Sequence, residues 1–144
     1  MNIYFVVIIS AIIIEYLLST FVNKLNLDAL NPELPQEFSD VYDKDKYAKS
    51  QNYTRTNTQF TFITSTFSTA LTLIVILFGI FNYFDSFVRS FGFGEIINGL
   101  LFFGLLTIAN DILTTPFSLY KNFVIEVKFG FNKMTLSTFF MDKL

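Results

Sequence analysis

Two carboxylates stand inside stretches that are otherwise apolar. Glu15 lies in the run from Ile3 to about Val22, and Asp111 in the run from about Ile96 to Thr115. If both runs cross a bilayer in the same direction, the two groups sit about 18 and 22 Å from the outer ends at 1.5 Å per residue. That is a similar depth. A charge there costs about 2.5 to 3.5 kcal/mol on insertion scales unless it is paired, protonated or hydrated. Carboxylates at one depth can exchange a proton with a reacting group or pass protons along. They can equally serve as structural hydrogen-bond acceptors, or as the polar wall of a chamber. Asn110 adds a neutral polar group beside Asp111, and Arg55 is a candidate ion partner for Asp111. The rest of the usual catalytic inventory is missing. The chain has no Cys and no His, so it offers no thiol nucleophile, thiolate ligand, imidazole base or imidazole ligand. No acidic cluster has calcium-loop spacing, and Gly92-Phe93-Gly94 lacks the third glycine of a dinucleotide loop. No cofactor is therefore expected on this chain.

The elements that must carry these residues are membrane helices. Of 144 residues, 52% are hydrophobic and only 15% charged, where a soluble domain carries about 25% charged residues. The apolar excess falls in three blocks, 3–22, 60–84 and 96–115, each near the roughly 20 residues that span a hydrocarbon core. No Lys or Arg precedes the first block and no small-residue cleavage site follows it, so it is expected to stay as a helix. Between the first two blocks lies a polar loop, 23–59, broken by Pro32 and Pro35, in which Asp40 to Ser50 has helical character. Gln51, Thr54, Thr58, Thr61, Ser65, Ser68 and Thr72 fall at spacings of three and four, which places them on one helix face. Such a face packs closely on another helix or lines a water-filled cavity.

Pro116 is expected to stop or kink the third block. Beyond it Phe117, Tyr120, Phe123, Val124 and Val127 recur at helical spacing with Lys121, Glu126 and Lys128 between them. The segment 116–144 thus reads as an amphipathic juxtamembrane continuation. Gly130 suits a helix C-terminal turn, and Asn132 or Thr135 a new helix start. Lys and Arg number five in the first loop, one (Arg89) after the second block, and four after the third. Positive charge favours the cytoplasmic side, so the N-terminus is predicted outside, with 23–59 and the C-terminal segment cytoplasmic. The net charge of -2 offers no basic field for nucleic acid.

Three stretches together resemble one family. They are Ser50-Gln-Asn-Tyr-Thr-Arg55, then Asn110-Asp-Ile-Leu-Thr-Thr-Pro-Phe-Ser-Leu-Tyr120, then Phe123-Val-Ile-Glu-Val-Lys-Phe-Gly-Phe-Asn-Lys133, with Thr135 fitting the pattern after them. In this order they are similar to the N-terminal region of the CAAX prenyl protease type 1 family of integral-membrane zinc metalloproteases. Val127 departs mildly, because many members carry an acidic residue there. The resemblance implies a seven-helix enzyme around a large chamber, with one zinc held by a His-Glu-x-x-His helix and a downstream Glu. Those parts are expected beyond Leu144, so this chain would hold neither catalytic nor zinc-ligating residues. The resemblance implies that eukaryotic members trim prenylated CAAX proteins and that bacterial members act on other membrane or misfolded substrates.

These readings give an all-α integral membrane segment of three transmembrane helices and a juxtamembrane helix, building part of the chamber wall. Arg55, Asp111, Pro116, Tyr120, Glu126, Lys128, Gly130 and Asn132 are the family-motif candidates, and Glu15 and Asn110 the further intramembrane polar groups. The expected partners are the bilayer, the remaining helices and catalytic domain, and a peptide or prenylated protein substrate. A bacterial inner membrane is the expected location. The rival reading is a stand-alone membrane scaffold or partner-binding protein without activity.

Overall fold

The computed structural model describes residues 2–143, so the last position of the segment 116–144 lies outside it. Every regular element among the described residues is helical. α1 covers Ile3–Ala29, α2 Lys44–Leu77, α3 Ile80–Arg89 and α4 Glu95–Tyr120. A π turn over Lys121–Ile125 leads into the short α5, Glu126–Lys128, and α6 covers Leu136–Met141. A single 3₁₀ turn, Gln36–Phe38, lies in the loop between α1 and α2. Three helical stretches, Ile3–Ala29, Lys44–Leu77 and Glu95–Lys128, are long and apolar enough to cross a membrane. Many of their large side chains are exposed, as Ile3, Leu17 and Phe21 of α1 are. Without a bilayer such surface would be costly, because apolar area in contact with water opposes folding at roughly 25 cal/mol per Å².

The chain divides into two compact units. One comprises Met1–Leu17 with Thr64–Pro116, the other Leu18–Ile63 with Phe117–Leu144.

In the first unit α1 and α2 are joined by a 2.8 Å hydrogen bond between the Tyr16 and Thr66 hydroxyls. The span expected over 60–84 is not one helix. It breaks at Phe78 and Gly79, where Gly79 takes φ 62 and α3 starts again at Ile80. Glycine enters this left-handed region without the steric cost that a Cβ carries. Gly92, at φ 72, turns the chain between α3 and α4. Asn98 pins that turn, its Nδ2 donating to the Phe93 carbonyl at 2.9 Å. Val88, at the end of α3, is 1% exposed. Pro116 does not stop α4, which runs on to Tyr120. The proline removes one N–H from the ladder, and the winding loosens to a π turn five residues later. Thr114 and Thr115 return their hydroxyls to the carbonyls of Asn110 and Asp111 at 2.9 and 2.6 Å.

In the second unit α1 outruns its predicted end at Val22 by seven residues, to Ala29. Leu25, Leu27 and Ala29 are good helix formers, and Pro32 disfavours further helix. α2 begins after Asp43, whose Oδ1 accepts the backbone N–H groups of Asp45 at 2.9 Å and Lys46 at 3.0 Å. This is N-capping by a carboxylate. The Lys46 N–H holds the Asp43 carboxyl below its ordinary range, against some desolvation, with help from the Asp45 N–H and the Lys46 charge.

The polar stripe on α2 behaves locally. Thr61 donates to the Asn57 carbonyl at 2.9 Å and Thr72 to the Ser68 carbonyl at 2.8 Å. None of the stripe residues is fully buried.

Candidate functional site

The densest arrangement of motif residues lies in the second unit, around Tyr53 on α2. Its hydroxyl donates to Glu126 Oε1 at 2.6 Å, a short bond of the charge-assisted kind. Two rings meet Tyr53 edge-on, Phe129 at 5.2 Å and Phe131 at 4.9 Å between centroids. Phe129 and Ile125 are buried. Glu126 also works through its backbone. Its carbonyl accepts the Phe131 N–H at 2.8 Å and the Asn132 N–H at 3.3 Å, while the Gly130 N–H goes to Val127 at 3.0 Å. With Gly130 at φ 74, this is the glycine-terminated helix end in which the second residue past the helix bonds back five positions. One residue therefore ties α2 to the turn with its side chain and closes the turn with its carbonyl.

Asn132 continues the tie. Its Nδ2 donates to the Asn122 carbonyl at 2.8 Å, and its Oδ1 accepts the Met134 N–H at 2.6 Å. The Asn122 acceptor lies within the π turn Lys121–Ile125. Thr135 then caps α6 by accepting the Thr138 N–H at 3.2 Å. Two lysines lie over the aromatic cluster, Lys49 at 5.3 Å from the Phe131 centroid and Lys128 at 5.4 Å from that of Phe129. Tyr120 stacks on Phe60 at 5.2 Å. Arg55 donates to the Leu30 carbonyl at 3.1 Å, placing a cation at the C-terminal end of α1, where the helix dipole favours it.

Glu15, Asn110, Asp111 and Pro116 belong to the first unit, and all four are exposed. Asn110 lines an apolar cavity of about 400 Å³ whose walls include Leu71, Val75, Phe81, Phe84 and Leu113.

The sequence candidates Glu126, Lys128, Gly130 and Asn132 thus converge, and Arg55 and Tyr120 brace the same unit. Tyr53, Lys49, Phe60 and Asn122 escaped notice. Tyr53 lay inside the quoted Ser50–Arg55 motif, yet its partner is 73 residues away. The only signal available was a lone carboxylate, Glu126, in an apolar segment. A carboxylate already accepting a short bond through Oε1 is held in place, and this geometry positions backbone.

Residues 23–144 match the family profile described as CAAX prenyl protease N-terminal, five membrane helices. The chain belongs to this family. Among its curated relatives, the CAAX prenyl protease 1 homolog of Dictyostelium discoideum is 29% identical over 98% of this chain and 35% of its own length. The Mus musculus homolog is 36% identical over 77% of this chain and 25% of its own length. The crystal structure of S. mikatae Ste24p matches 99% of this chain and 35% of its own, with a TM-score of 0.84 and 27% identity. The chain accordingly spans about a quarter to a third of the length of these CAAX prenyl protease relatives. It carries the family's N-terminal membrane region, with three candidate spans where the profile describes five helices. The expectation of a bacterial inner membrane finds no support in these relatives, which are eukaryotic.

Proposed function

We propose that this chain serves as part of the membrane chamber wall of a zinc metalloendopeptidase that cleaves prenylated or other membrane-associated peptides. The observation that carries the reading is the agreement of 99% of the chain with Ste24p at a TM-score of 0.84. The Tyr53–Glu126 tie gives the wall a fixed edge. The segment from Pro116 to Asn132 is held against α2 through Phe60, Tyr53 and the Gly130 turn, and offers a preset surface for the remaining helices and the catalytic domain.

The residues present do not fit zinc. No group of three His, Cys, Asp or Glu side chains gathers among the described residues, and His and Cys are absent from the sequence. The metal chemistry belongs to other parts of the parent enzyme, and no catalytic step is assigned to this chain. The topology that accompanies the proposal puts the N-terminus outside, with the 23–59 loop and the C-terminal segment cytoplasmic. It rests on the distribution of Lys and Arg among the connections.

The test is to read the gene past the Leu144 codon and express the whole frame in membranes. The expected result is cleavage of a farnesylated CAAX peptide that a chelator abolishes and added zinc restores, with none from residues 1–144 alone. Zinc-dependent cleavage by residues 1–144 would sink the proposal. So would a stop codon after Leu144, which would turn the reading to a scaffold.

A further inference from the structure

Within the first unit α1 has three sides. Phe5, Ile9, Ile12 and Tyr16 are half-buried and fall at helical spacing on one of them. Tyr16 bonds Thr66 from this side, so it is the side that meets α2. Ile3, Val7, Ile14 and Leu17 make a second side, exposed and wholly apolar. Tyr4, Ile8, Ala11 and Glu15 make the third, exposed and lying between the other two. Among the described residues the Glu15 carboxylate has no ion pair and no hydrogen-bond partner.

The Tyr16–Thr66 bond sets Glu15 level with a known part of α2. There, Thr64, Ser65, Thr66, Ser68 and Thr69 carry hydroxyls at five of six consecutive positions. At 3.6 residues per turn these five go more than halfway round the helix, which is wider than one packing stripe. Thr72, about 9 Å further along α2, lines the same cavity as Asn110. Polar groups of all three long helices therefore gather inside this unit. Hydrocarbon would offer a carboxylate no hydrogen bond. Intramembrane carboxylates face a bundle interior or a water-filled cavity for that reason. The Ile3–Leu17 side suits lipid, and the Glu15 side does not.

We infer that Glu15 faces the aqueous interior of the parent enzyme, where its carboxylate binds the ammonium and guanidinium groups of an entering peptide. The inference rests on the chamber-wall reading and names the side of α1 that makes the wall. Glu15 is then a specificity-determining residue that favours basic substrates.

The test uses the whole frame in membranes, with any cysteine past Leu144 replaced by serine. Ala11→Cys puts a thiol one helical turn from Glu15, about 5 to 6 Å away. It is treated with methanethiosulfonate reagents carrying an ammonium or a sulfonate group. A unit negative charge at that distance in water favours the cationic reagent by about three- to tenfold, relative to a free thiol. Glu15→Gln should remove this bias, Glu15→Asp should keep it, and Ile14→Cys on the apolar side should not react. An unreactive Ala11→Cys would mean that protein or lipid covers this side, and overturns the inference. So does a bias that survives Glu15→Gln, or an Ile14→Cys that reacts as fast as Ala11→Cys. In the cleavage assay, Glu15→Gln should lower kcat/KM several-fold for a farnesylated peptide with lysines ahead of its CAAX motif. The same peptide with glutamates there should not lose. Equal losses on both peptides overturn the substrate contact. Labelling needs no activity, so a parent that cleaves neither peptide defeats the protease reading while the reagent ratio still decides where Glu15 faces.

Discussion

Tyr53 and Glu126 act as one unit, and their removal should show it. A hydrogen bond to a charged acceptor contributes about 1.5 to 3 kcal/mol, and this one spans 73 residues. Tyr53→Phe and Glu126→Gln are each expected to lower the thermal midpoint in detergent and to speed amide exchange at Phe131 and Asn132. The double variant should cost little more than either single one, giving a coupling above about 1 kcal/mol. Additive losses would mean that the two side chains work separately. Asp43 makes a pH prediction. Its folded carboxyl is depressed by the Lys46 N–H, so its capping contribution is fully present above the ordinary carboxylate value of about 3.9. It is lost as pH falls through the lower folded value. Amide protection at Asp45 and Lys46 should fall across that window. Asp43→Asn should keep much of the cap and remove the pH dependence, while Asp43→Ala removes the cap at every pH. At this scale the sequence named Glu126, Gly130 and Asn132 through a motif and missed Tyr53, because a contact across 73 residues leaves no periodic trace.

At the scale of elements, glycine geometry decides where helices end. Gly130 at φ 74 has only the end of the Lys49 side chain, at 3.7 Å, near the position of an added Cβ. The cost of Gly130→Ala is therefore backbone strain, about 1 to 2 kcal/mol. Gly130→Asn should cost less, since asparagine tolerates the left-handed region better. Thermal melts of both variants check the order, and equal losses would point to steric crowding instead. The turn at Gly130 was legible from residue type, and the next helix start was narrowed to Asn132 or Thr135, of which Thr135 caps. The break at Gly79 was not legible: the apolar run continues through it from Phe60 to Phe84, and hydropathy carries no record of a φ angle. Of the two outcomes expected at Pro116, a stop or a kink, the helix shows no stop. A proline costs a helix one N–H, and here the helix continues past it to Tyr120 and into the π turn.

At the scale of the whole molecule, the absence of Cys makes single-cysteine reporters clean. Asp40→Cys, in the loop before α2, and Asp142→Cys, near the end of the described chain, are expected to react with an impermeant maleimide from the same side of sealed vesicles. Phe93→Cys, between α3 and α4, should react from the opposite side. Labelling of all three from one side would remove the proposed topology. The sequence alone determined the all-helical class, the three long apolar stretches and the family, because burial in lipid demands about 20 apolar residues in a row and motif residues are read by identity. Tertiary structure decided which side of the post-Pro116 segment faces inward. Helical spacing alone is compatible with Val124 and Val127 packed on α2 or turned away from it. Only the reach of Tyr53 to Glu126, with Phe129 and Ile125 closing beneath it, selects the second arrangement. A contact between distant residues depends on the path of the chain between them, and no local pattern encodes that path.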